Sequence, residues 1–241
     1  MTDDINKLLD NYKPTKAAQD LISQNKVVLL VGISGAGKST IRHRLLNLDS
    51  YYHIISHTTR PPRSNNGILE KDGREYHFID LDQAKNMLKN HDFIEAKRYG
   101  KNIYGTSTGE FLIARNEHKI AITDIEVQGV AEYMDFASES TYPIFLLPPS
   151  YETWRERWQK RYETSEERGE LEERTQTAIS ELEHVLKTNY FYIVVNDDLE
   201  KAVQLVNTIT ETGYQAKDEH QAGLNTAKQI LAAMKQQIST R

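Results

Sequence analysis

Short apolar runs alternate with longer amphipathic segments along most of this chain. The apolar runs predict buried strands, which lie at residues 27–31, 53–56, 120–124, 144–147 and 191–195. Apolar residues at helical spacing predict helices at 38–47, after a cap at Ser150, up to about residue 187, and at 199–210. Strands that alternate with helices in this way are typical of an α/β fold with an open parallel sheet.

Two internal segments interrupt this alternation. Residues 57–110 are rich in Pro, Gly, Tyr and charged residues, which predicts an inserted subdomain of short strands. A helix is expected there near residues 80–90, with Asp80 or Asp82 as its N-cap. Residues 155–175 are dense in Arg and Glu. Without other information, such a charge run is best explained as a solvated helix face.

Both ends of the chain are additions to this α/β domain. Residues 1–25 are polar and carry a weak helical pattern that Pro14 interrupts. Residues 212–241 are also polar, apart from one amphipathic helix that carries Ile230 and Met234. We expect the terminal helices to pack on the core, which is the more common arrangement, or on a second subunit.

Composition and charge exclude several classes of function. The 241 residues suffice for one sizeable domain or two small ones, and the net charge of −5 argues against general nucleic-acid binding. The apolar runs are too short to span a membrane, and the acidic N-terminus is unlike a signal peptide. The chain has no cysteine, which excludes disulfides, thiolate metal sites and cysteine nucleophiles. These features fit a cytoplasmic protein.

Residues 32–39, with the sequence GISGAGKS, form a complete phosphate-binding loop directly after an apolar run. Glycines let the backbone wrap tightly, so that N–H groups of the loop and the next helix converge on an anion. Lys38 can reach the outer phosphates and Ser39 can ligate magnesium. The alternative is a Gly-rich turn without a ligand. The predicted nucleotide-binding residues are Gly32, Ser34, Gly35, Ala36, Gly37, Lys38, Ser39 and Thr40.

A second set of motifs begins with Arg60 and Arg63, three residues apart in the Pro-stiffened stretch SHTTRPPR. The planar fork of arginine suits two-pronged recognition of phosphate, although an isolated pair of this kind is often solvated surface. More motifs follow in order, with GREYHF at 73–78, FIE at 93–95, IYGTS at 103–107, DIEVQG at 124–129, PPS at 148–150 and NDDL at 196–199.

Together with the phosphate loop, this ordered set resembles guanylate kinase over about residues 27–207. The resemblance implies a P-loop NTPase-type sheet and a magnesium-dependent transfer of the ATP γ-phosphoryl group to GMP, giving ADP and GDP. It also implies a kinase domain at 26–211, divided into a core (26–56, 111–154 and 176–211), a GMP-binding subdomain (57–110) and a lid (155–175). Residues 1–25 and 212–241 would flank that domain.

On the acceptor side, the resemblance implies that Glu95 reads guanine. Its carboxylate can accept hydrogen bonds from both N1–H and the exocyclic amine, a pair of donors that adenine lacks. Two arginine forks and two phenolic donors would suit the monophosphate. The implied GMP-binding residues are Ser56, Arg60, Arg63, Tyr76, Glu95, Tyr104, Thr106, Asp124 and Glu126.

On the donor side, the resemblance implies that cations neutralise the transferred phosphoryl group. Asn196 would lie near adenine. Magnesium would be bound directly by Ser39 and through water by Asp124. The implied catalytic residues are Lys38, Arg42, Arg157, Arg161 and Arg174.

Two departures from the family pattern concern the acceptor side. An insertion at residues 64–72 separates Arg63 from Tyr76 and can displace this tyrosine, and the usual Gly-Glu pair does not follow Arg63. Glu126 stands where the family usually has Asp. These departures affect rate and base selectivity more than the class of reaction.

Two other interpretations remain open. The same scaffold could phosphorylate another nucleoside monophosphate or a phosphosugar, although Glu95 with Ser56 and Thr106 favours guanine. A guanylate-kinase-like module that binds phosphopeptides without catalysis would have lost its phosphate loop, whereas residues 32–39 are intact here. We expect ATP and GMP as partners, no nucleic acid or membrane, and a monomer or homodimer.

Overall fold

The computed structural model describes residues 2–65, 68–161 and 167–239. The helices are α1 (Thr2–Asp10), α2 (Lys16–Ser23), α3 (Lys38–Leu46), α4 (Leu81–Asn90), α5 (Thr108–Asn116), α6 (Val130–Ala137), α7 (Tyr151–Arg161), α8 (Glu167–Lys187), α9 (Leu199–Thr212) and α10 (Lys217–Ser239). The strands are β1 (Val27–Gly32), β2 (Tyr51–His53), β3 (His57–Thr58), β4 (Ser64–Asn65), β5 (Ile68–Leu69), β6 (His77–Phe78), β7 (Phe93–Tyr99), β8 (Asn102–Ser107), β9 (Ile120–Asp124), β10 (Thr141–Leu147) and β11 (Tyr192–Val195).

These elements form two compact units. The first unit comprises Met1–Val27, Asp49–Thr123 and Glu132–Thr141, and the second comprises Val28–Leu48, Asp124–Ala131 and Tyr142–Arg241. The division into core, GMP-binding subdomain and lid that the sequence suggests is a functional one, and it stays a prediction.

The second unit contains neighbouring strands in the order β11-β10-β1. Strands β10 and β11 run parallel, with Ile144 opposite Tyr192 and Leu147 opposite Val195. Every residue of β1 and β10 is buried, as expected of strands covered by helices on both faces. Helices α3 and α9 pack on each other, and α9 also contacts β11. This arrangement confirms the predicted α/β class with parallel strands flanked by helices.

The first unit contains the parallel pair β2 and β9 and a second sheet in the order β6-β3-β8-β7. Asp80 and Gln83 form a complete capping box at the start of α4, so Asp80, not Asp82, caps the predicted helix. Buried residues of α4, including Leu88, pack with Phe93 of β7 and with Ile5 of α1. The N-terminal helix is therefore bound to this unit through its apolar face.

One predicted strand is wrong in its position. The sequence suggested a strand at 53–56, whereas β2 spans Tyr51–His53 and pairs with β9 from Tyr51 opposite Ile120. The Ile54 N–H still donates to the Ile122 carbonyl at 2.9 Å. The Ile55 N–H donates to the Glu110 carboxylate at 2.9 Å instead of to a neighbouring strand. The hydrogen bonds between β2 and β9 therefore end at Ile54.

The C-terminal helix packs on its own unit. Helix α10 contacts α8, β11 and α7, and it buries Ala227, Ile230 and Met234. The C-terminal helix thus packs on the core, as expected, whereas α1 packs on α4 and β7, within the segment 57–110 that was predicted to be an inserted subdomain. Within the described residues, no helix has both the length and the apolar character needed to cross a membrane.

Candidate active site

The phosphate loop has the backbone that its glycines predict. Strand β1 ends at Gly32 and helix α3 begins at Lys38. Gly35 and Gly37 have φ angles of 86° and 100°, a region that residues with a Cβ rarely adopt. A Cβ on Gly37 would lie 2.2 Å from the Asn196 side-chain nitrogen, so glycine is required there for space as well as for conformation.

The start of α3 is built to bind an anion. The N-cap residue is Gly37, which has no side chain to accept from the first N–H groups of the helix. These donors and the positive end of the helix dipole are thus available to a phosphate. The Lys38 ammonium donates to the Gly32 carbonyl, so the lysine lies folded across the loop.

Two buried side chains donate hydrogen bonds to carbonyl groups of this loop. The indole N–H of Trp154 donates to the Ser34 carbonyl at 2.7 Å, and the Asn196 amide donates to the Ala36 carbonyl at 2.9 Å. Both side chains are almost fully buried. Asn196 was predicted near adenine, and the structure gives it a direct part in holding the loop. The role of Trp154 was not predicted, because the sequence places this residue only within the helix that follows Ser150.

The loop opens on a cavity of about 710 Å³. Its walls come from the loop, α3, α7, α8 and the turn before α9. The cavity brings together ten of the predicted residues, namely Gly32, Ser34, Gly35, Gly37, Lys38, Ser39, Thr40, Arg157, Arg174 and Asn196. It also contains Glu126, which was predicted as an acceptor near the guanine amine. The Arg157 guanidinium donates to the Asn196 carbonyl at 2.9 Å.

Arg42 and Asp124 are brought together by a salt bridge of 2.7 Å between the guanidinium and the carboxylate. Arg42 lies one turn along α3, and Asp124 ends β9. Both groups are partly buried, which strengthens their attraction relative to a surface pair. Arg42, which was predicted to face the transferred phosphate, is thus oriented by Asp124, which was predicted to order magnesium waters.

Glu181 of α8 also lines the cavity, and no sequence motif includes it. Burial raises the pKa of its carboxyl to about 7, although the nearby charges of Lys38 and Arg174 oppose the shift. Glu181 lies seven residues after Arg174 on the same helix. This spacing, which places both side chains on one face of the helix, is the only sequence signal for its position.

In the first unit, Arg60 is held by a buried carboxylate. Its guanidinium donates to both oxygens of Glu70, at 2.8 and 3.1 Å, and the Arg63 N–H donates to the same group at 2.8 Å. Burial alone would raise the pKa of the Glu70 carboxyl, but these hydrogen bonds outweigh it and hold the pKa below its usual value.

The insertion explains why Glu70 was missed. Strands β4 and β5 pair as an antiparallel hairpin, with Ser64 opposite Leu69. This hairpin returns the chain to Arg63, so that Glu70 reaches Arg60 even though the usual Gly-Glu pair does not follow Arg63 directly. Glu70, which lies within the inserted residues, therefore supplies a carboxylate to Arg60 and to the Arg63 N–H.

The two predicted phosphate-binding tyrosines lie beside Arg60. The centre of the Arg60 guanidinium is 5.3 Å from the centroid of the Tyr76 ring. Tyr76 and Tyr104 meet edge to face, with their ring centroids 5.8 Å apart, and Arg60 also interacts with Tyr104. The insertion therefore leaves Tyr76 close to Arg60.

The three residues predicted to read guanine also converge. The Thr106 hydroxyl donates to the Glu95 carboxylate at 2.8 Å, and the Ser56 hydroxyl is 3.5 Å from that of Thr106. Glu95 is 9% exposed. Burial raises the pKa of the Glu95 carboxyl to about 7, and the Glu132 charge adds to the shift, while the Thr106 hydrogen bond and Lys97 oppose it.

One predicted catalytic residue cannot be placed. Arg161 ends α7, but its side chain lies outside the described part of the structure, as do residues 162–166 of the predicted lid. Among the described residues there is no group of three or more His, Cys, Asp or Glu side chains that could hold a metal ion by itself.

A glycine loop between a buried strand and an uncapped helix, with a lysine at its end, defines a nucleotide-binding α/β protein of the phosphate-loop class. The family model "Guanylate kinase" matches residues 24–212. A guanylate kinase of Schizosaccharomyces pombe is 35% identical over 187 residues, which cover 76% of this chain and 89% of the relative. One from Clostridium perfringens is 39% identical over 189 residues, covering 77% and 83%.

A crystal structure of guanylate kinase from Anaplasma phagocytophilum shares the fold, with a TM-score of 0.59 and 24% identity over 81% of this chain and 89% of that chain. The family model and the two relatives reach well beyond the phosphate loop. The chain therefore belongs to the guanylate kinase family, a family of nucleoside monophosphate kinases.

Proposed function

We propose that this protein is a guanylate kinase that transfers the γ-phosphoryl group of ATP to GMP with magnesium, giving ADP and GDP. Family membership supports the class of reaction. The choice of GMP is carried by one observation, the buried Glu95 carboxylate that accepts a hydrogen bond from the Thr106 hydroxyl, with the Ser56 hydroxyl next to Thr106. When ionised, Glu95 presents acceptors only, which suits the two adjacent donors of guanine.

The acceptor phosphate is assigned to Arg60, Arg63, Tyr76 and Tyr104. Arg60 is already oriented by Glu70 and by the two tyrosines, so little rotamer freedom is lost when GMP binds. Charge-assisted hydrogen bonds from a guanidinium are among the strongest that a phosphate can receive. Asp124 and Glu126 are proposed as further acceptors toward the nucleotide, as the family resemblance implies.

The ATP phosphates are assigned to the loop N–H groups and the first turn of α3. Lys38 would leave the Gly32 carbonyl for the outer phosphates when ATP binds, since a phosphate is the stronger partner for an ammonium. Arg157 and Arg174 line the same cavity and are proposed to neutralise the transferred group, together with Arg42. We assign Arg161 the same role by resemblance alone.

Magnesium fits the oxygen donors at this site. Ser39 would bind the ion directly and Asp124 through water, and phosphates of ATP would complete the shell, because magnesium prefers oxygen ligands and keeps several waters. When bound, the ion neutralises charge on the phosphates.

The reaction needs no covalent intermediate. Two anionic phosphates at about 4 Å repel each other by several kcal/mol in a partly dry site, so cations from the protein must lie between and around them. Lys38 and the arginines supply this charge, and they orient the phosphates for in-line transfer. We further propose that the enzyme works in the cytoplasm, as a monomer or homodimer, and without nucleic acid or membrane partners.

A coupled assay of ADP release with GMP, AMP, CMP and UMP tests the proposal. We expect kcat/KM for GMP to exceed that for AMP by at least about 100-fold, because a site built on buried polar groups rejects a base that leaves them unpaired. Glu95→Gln should reduce this ratio strongly. Preference for another acceptor would support the alternative kinase, and GMP binding without turnover would support the non-catalytic module.

A further inference from the structure

Tyr12, in the segment between α1 and α2, binds both backbone groups of Phe93, the first residue of β7. The Phe93 N–H donates to the Tyr12 hydroxyl at 3.0 Å, and the hydroxyl donates to the Phe93 carbonyl at 2.6 Å. Strand β7 lies at the edge of its sheet, where backbone groups need partners from outside the sheet. Residue 12 precedes the family match at 24–212, so these partners come from the N-terminal addition.

The Tyr12 ring is held in place on two sides. It stacks on the His91 ring, with centroids 5.7 Å apart, and it meets the Phe93 ring edge to face at 6.4 Å. Nδ1 of His91 is 3.2 Å from the Lys13 carbonyl, which joins the next residue of this segment to the end of α4. Burial raises the pKa of Tyr12 to about 12, so its hydroxyl stays protonated at physiological pH. The hydroxyl is therefore a fixed partner for β7.

A β-bulge separates Phe93 from Glu95. Phe93 lies opposite Ser107 of β8. Glu95 lies opposite Thr106, so two steps along β7 match one step along β8. An extra residue of this kind bends the strand and redirects the side chains beside it, often next to active sites. Here the extra residue, Ile94, comes directly before Glu95, whose carboxylate accepts from the Thr106 hydroxyl at 2.8 Å. The position of Phe93 therefore sets where the bulge begins.

The Phe93 ring also contacts the strands that carry the other two residues proposed to read guanine. The ring is fully buried and meets the His57 ring edge to face, with centroids 5.8 Å apart. His57 directly follows Ser56. On β8, a Cβ added to Gly105 would lie 2.9 Å from the Phe93 ring, so the ring packs directly on the residue before Thr106. A shift of Phe93 would thus disturb the neighbours of all three residues.

We infer that Tyr12 is a positioning residue for base recognition: by fixing the start of β7, it holds Glu95 opposite Thr106 in the arrangement that accepts guanine. The N-terminal addition thereby contributes to the choice of base, and it does so through Phe93. This inference rests on the proposed function for its substrate, but the link between Tyr12 and Glu95 can be measured without any nucleotide.

The first test is Tyr12→Phe, which keeps the ring and removes the hydroxyl. The matched control is Tyr192→Phe, which removes a hydroxyl that donates to the Gly213 carbonyl at 2.9 Å in the other unit. We expect Tyr12→Phe to raise KM for GMP about fivefold, as for the loss of one hydrogen bond, with KM for ATP unchanged. The ratio of kcat/KM for GMP to that for AMP should fall, and the control should match wild type. An unchanged KM for GMP and an unchanged ratio in Tyr12→Phe would overturn the inference.

A double variant separates positioning from a general loss of stability. Because Tyr12 acts through Glu95, adding Tyr12→Phe to Glu95→Gln should leave the ratio of kcat/KM for GMP to that for AMP at the value of Glu95→Gln alone. A further fall of this ratio in the double variant would show that Tyr12 acts elsewhere and would refute the role.

A nucleotide-free measurement tests the link directly. By NMR, the Phe93 amide hydrogen should exchange with solvent faster in Tyr12→Phe than in wild type. The ¹³Cδ resonance of Glu95 should move in Tyr12→Phe and stay in place in Tyr192→Phe. A Glu95 resonance that is the same in wild type and Tyr12→Phe would contradict the link. If the resonance moves but wild type does not phosphorylate GMP, the proposed function fails and the link between the two residues stands.

Discussion

Glu70 binds Arg60 through both carboxylate oxygens, at 2.8 and 3.1 Å, and the side chains of both residues are less than a tenth exposed. A bidentate pair of this kind fixes the plane of the guanidinium as well as its position. The same guanidinium also lies over the ring of Tyr76 and interacts with Tyr104, the residues assigned to the GMP phosphate. The inserted hairpin thus serves to present one arginine.

This pair predicts a selective defect in the acceptor site. In Glu70→Gln, Arg60 loses its fixed orientation while Tyr76 and Tyr104 remain, so KM for GMP should rise about tenfold with KM for ATP unchanged. The loss of charge-assisted hydrogen bonds should lower the free energy of unfolding by about 2 kcal/mol. Glu75→Gln, in the exposed pair with Arg74, is the control. A lower KM for GMP in Glu70→Gln would show instead that Glu70 competes with the phosphate.

The raised pKa of Glu95 predicts how activity depends on pH. Because the carboxyl has a pKa of about 7 and is proposed to read guanine only when ionised, kcat/KM for GMP should rise with pH through a midpoint near 7 and level off above about pH 8. Glu95→Gln should have a lower kcat/KM without this rise. Since GMP carries its own titrating phosphate, the variant also serves as the control for substrate ionisation. A wild-type rise that persists in Glu95→Gln would belong to the substrate or to Glu181, whose carboxyl also has a pKa of about 7.

Substitution of Trp154 should change KM for ATP and leave KM for GMP unchanged. Trp154→Phe keeps most of the buried ring but removes the N–H that donates to the Ser34 carbonyl at 2.7 Å. A hydrogen bond of about 1 kcal/mol converts to a roughly fivefold rise in KM for ATP, with KM for GMP unchanged. Trp158→Phe, one turn further along α7, is the matched substitution. Steady-state kinetics with each substrate varied in turn separates the two effects, and equal changes in both KM values would refute this role.

The C-terminal helix should contribute to stability. Met234 is fully buried on the face of α10 that packs on its unit, although residue 234 lies beyond the family match at 24–212. Met234→Ala should lower the free energy of unfolding by about 2–4 kcal/mol, as expected for a large-to-small change in a core. Lys228→Ala, on the exposed face, should change it by less than about 0.5 kcal/mol. Urea denaturation followed by circular dichroism measures both, and equal stability of the two variants would contradict this packing.

Much of the fold could be predicted from the sequence because local signals were strong. The apolar run at 27–31, the loop glycines and the Asp80 cap each act within a few residues, and the structure confirms β1, α3 and α4. The strand predicted at 53–56 was misplaced because its end depends on Glu110, more than fifty residues away. A pattern of neighbours along the chain does not carry that information.

The site follows the same rule. The phosphate loop and the three residues proposed to read guanine could be predicted because their spacing matches known motifs. Glu70 was missed because a hairpin brings it back to Arg60, and Trp154 and Glu181 were missed because each looks like an ordinary helix residue. Their roles depend on contacts between elements, which only the folded chain supplies.

The central claim is that the terminal phosphoryl group of ATP moves to GMP. The most direct measurement incubates the protein with ATP labelled with ³²P at the γ position, GMP and magnesium, and identifies the labelled product by chromatography. We expect label in GDP, almost none in inorganic phosphate, and no labelled GDP with Lys38→Ala, which should still bind GMP with affinity close to wild type. Label that appears in inorganic phosphate or in another nucleotide acceptor, with none in GDP, would contradict the account.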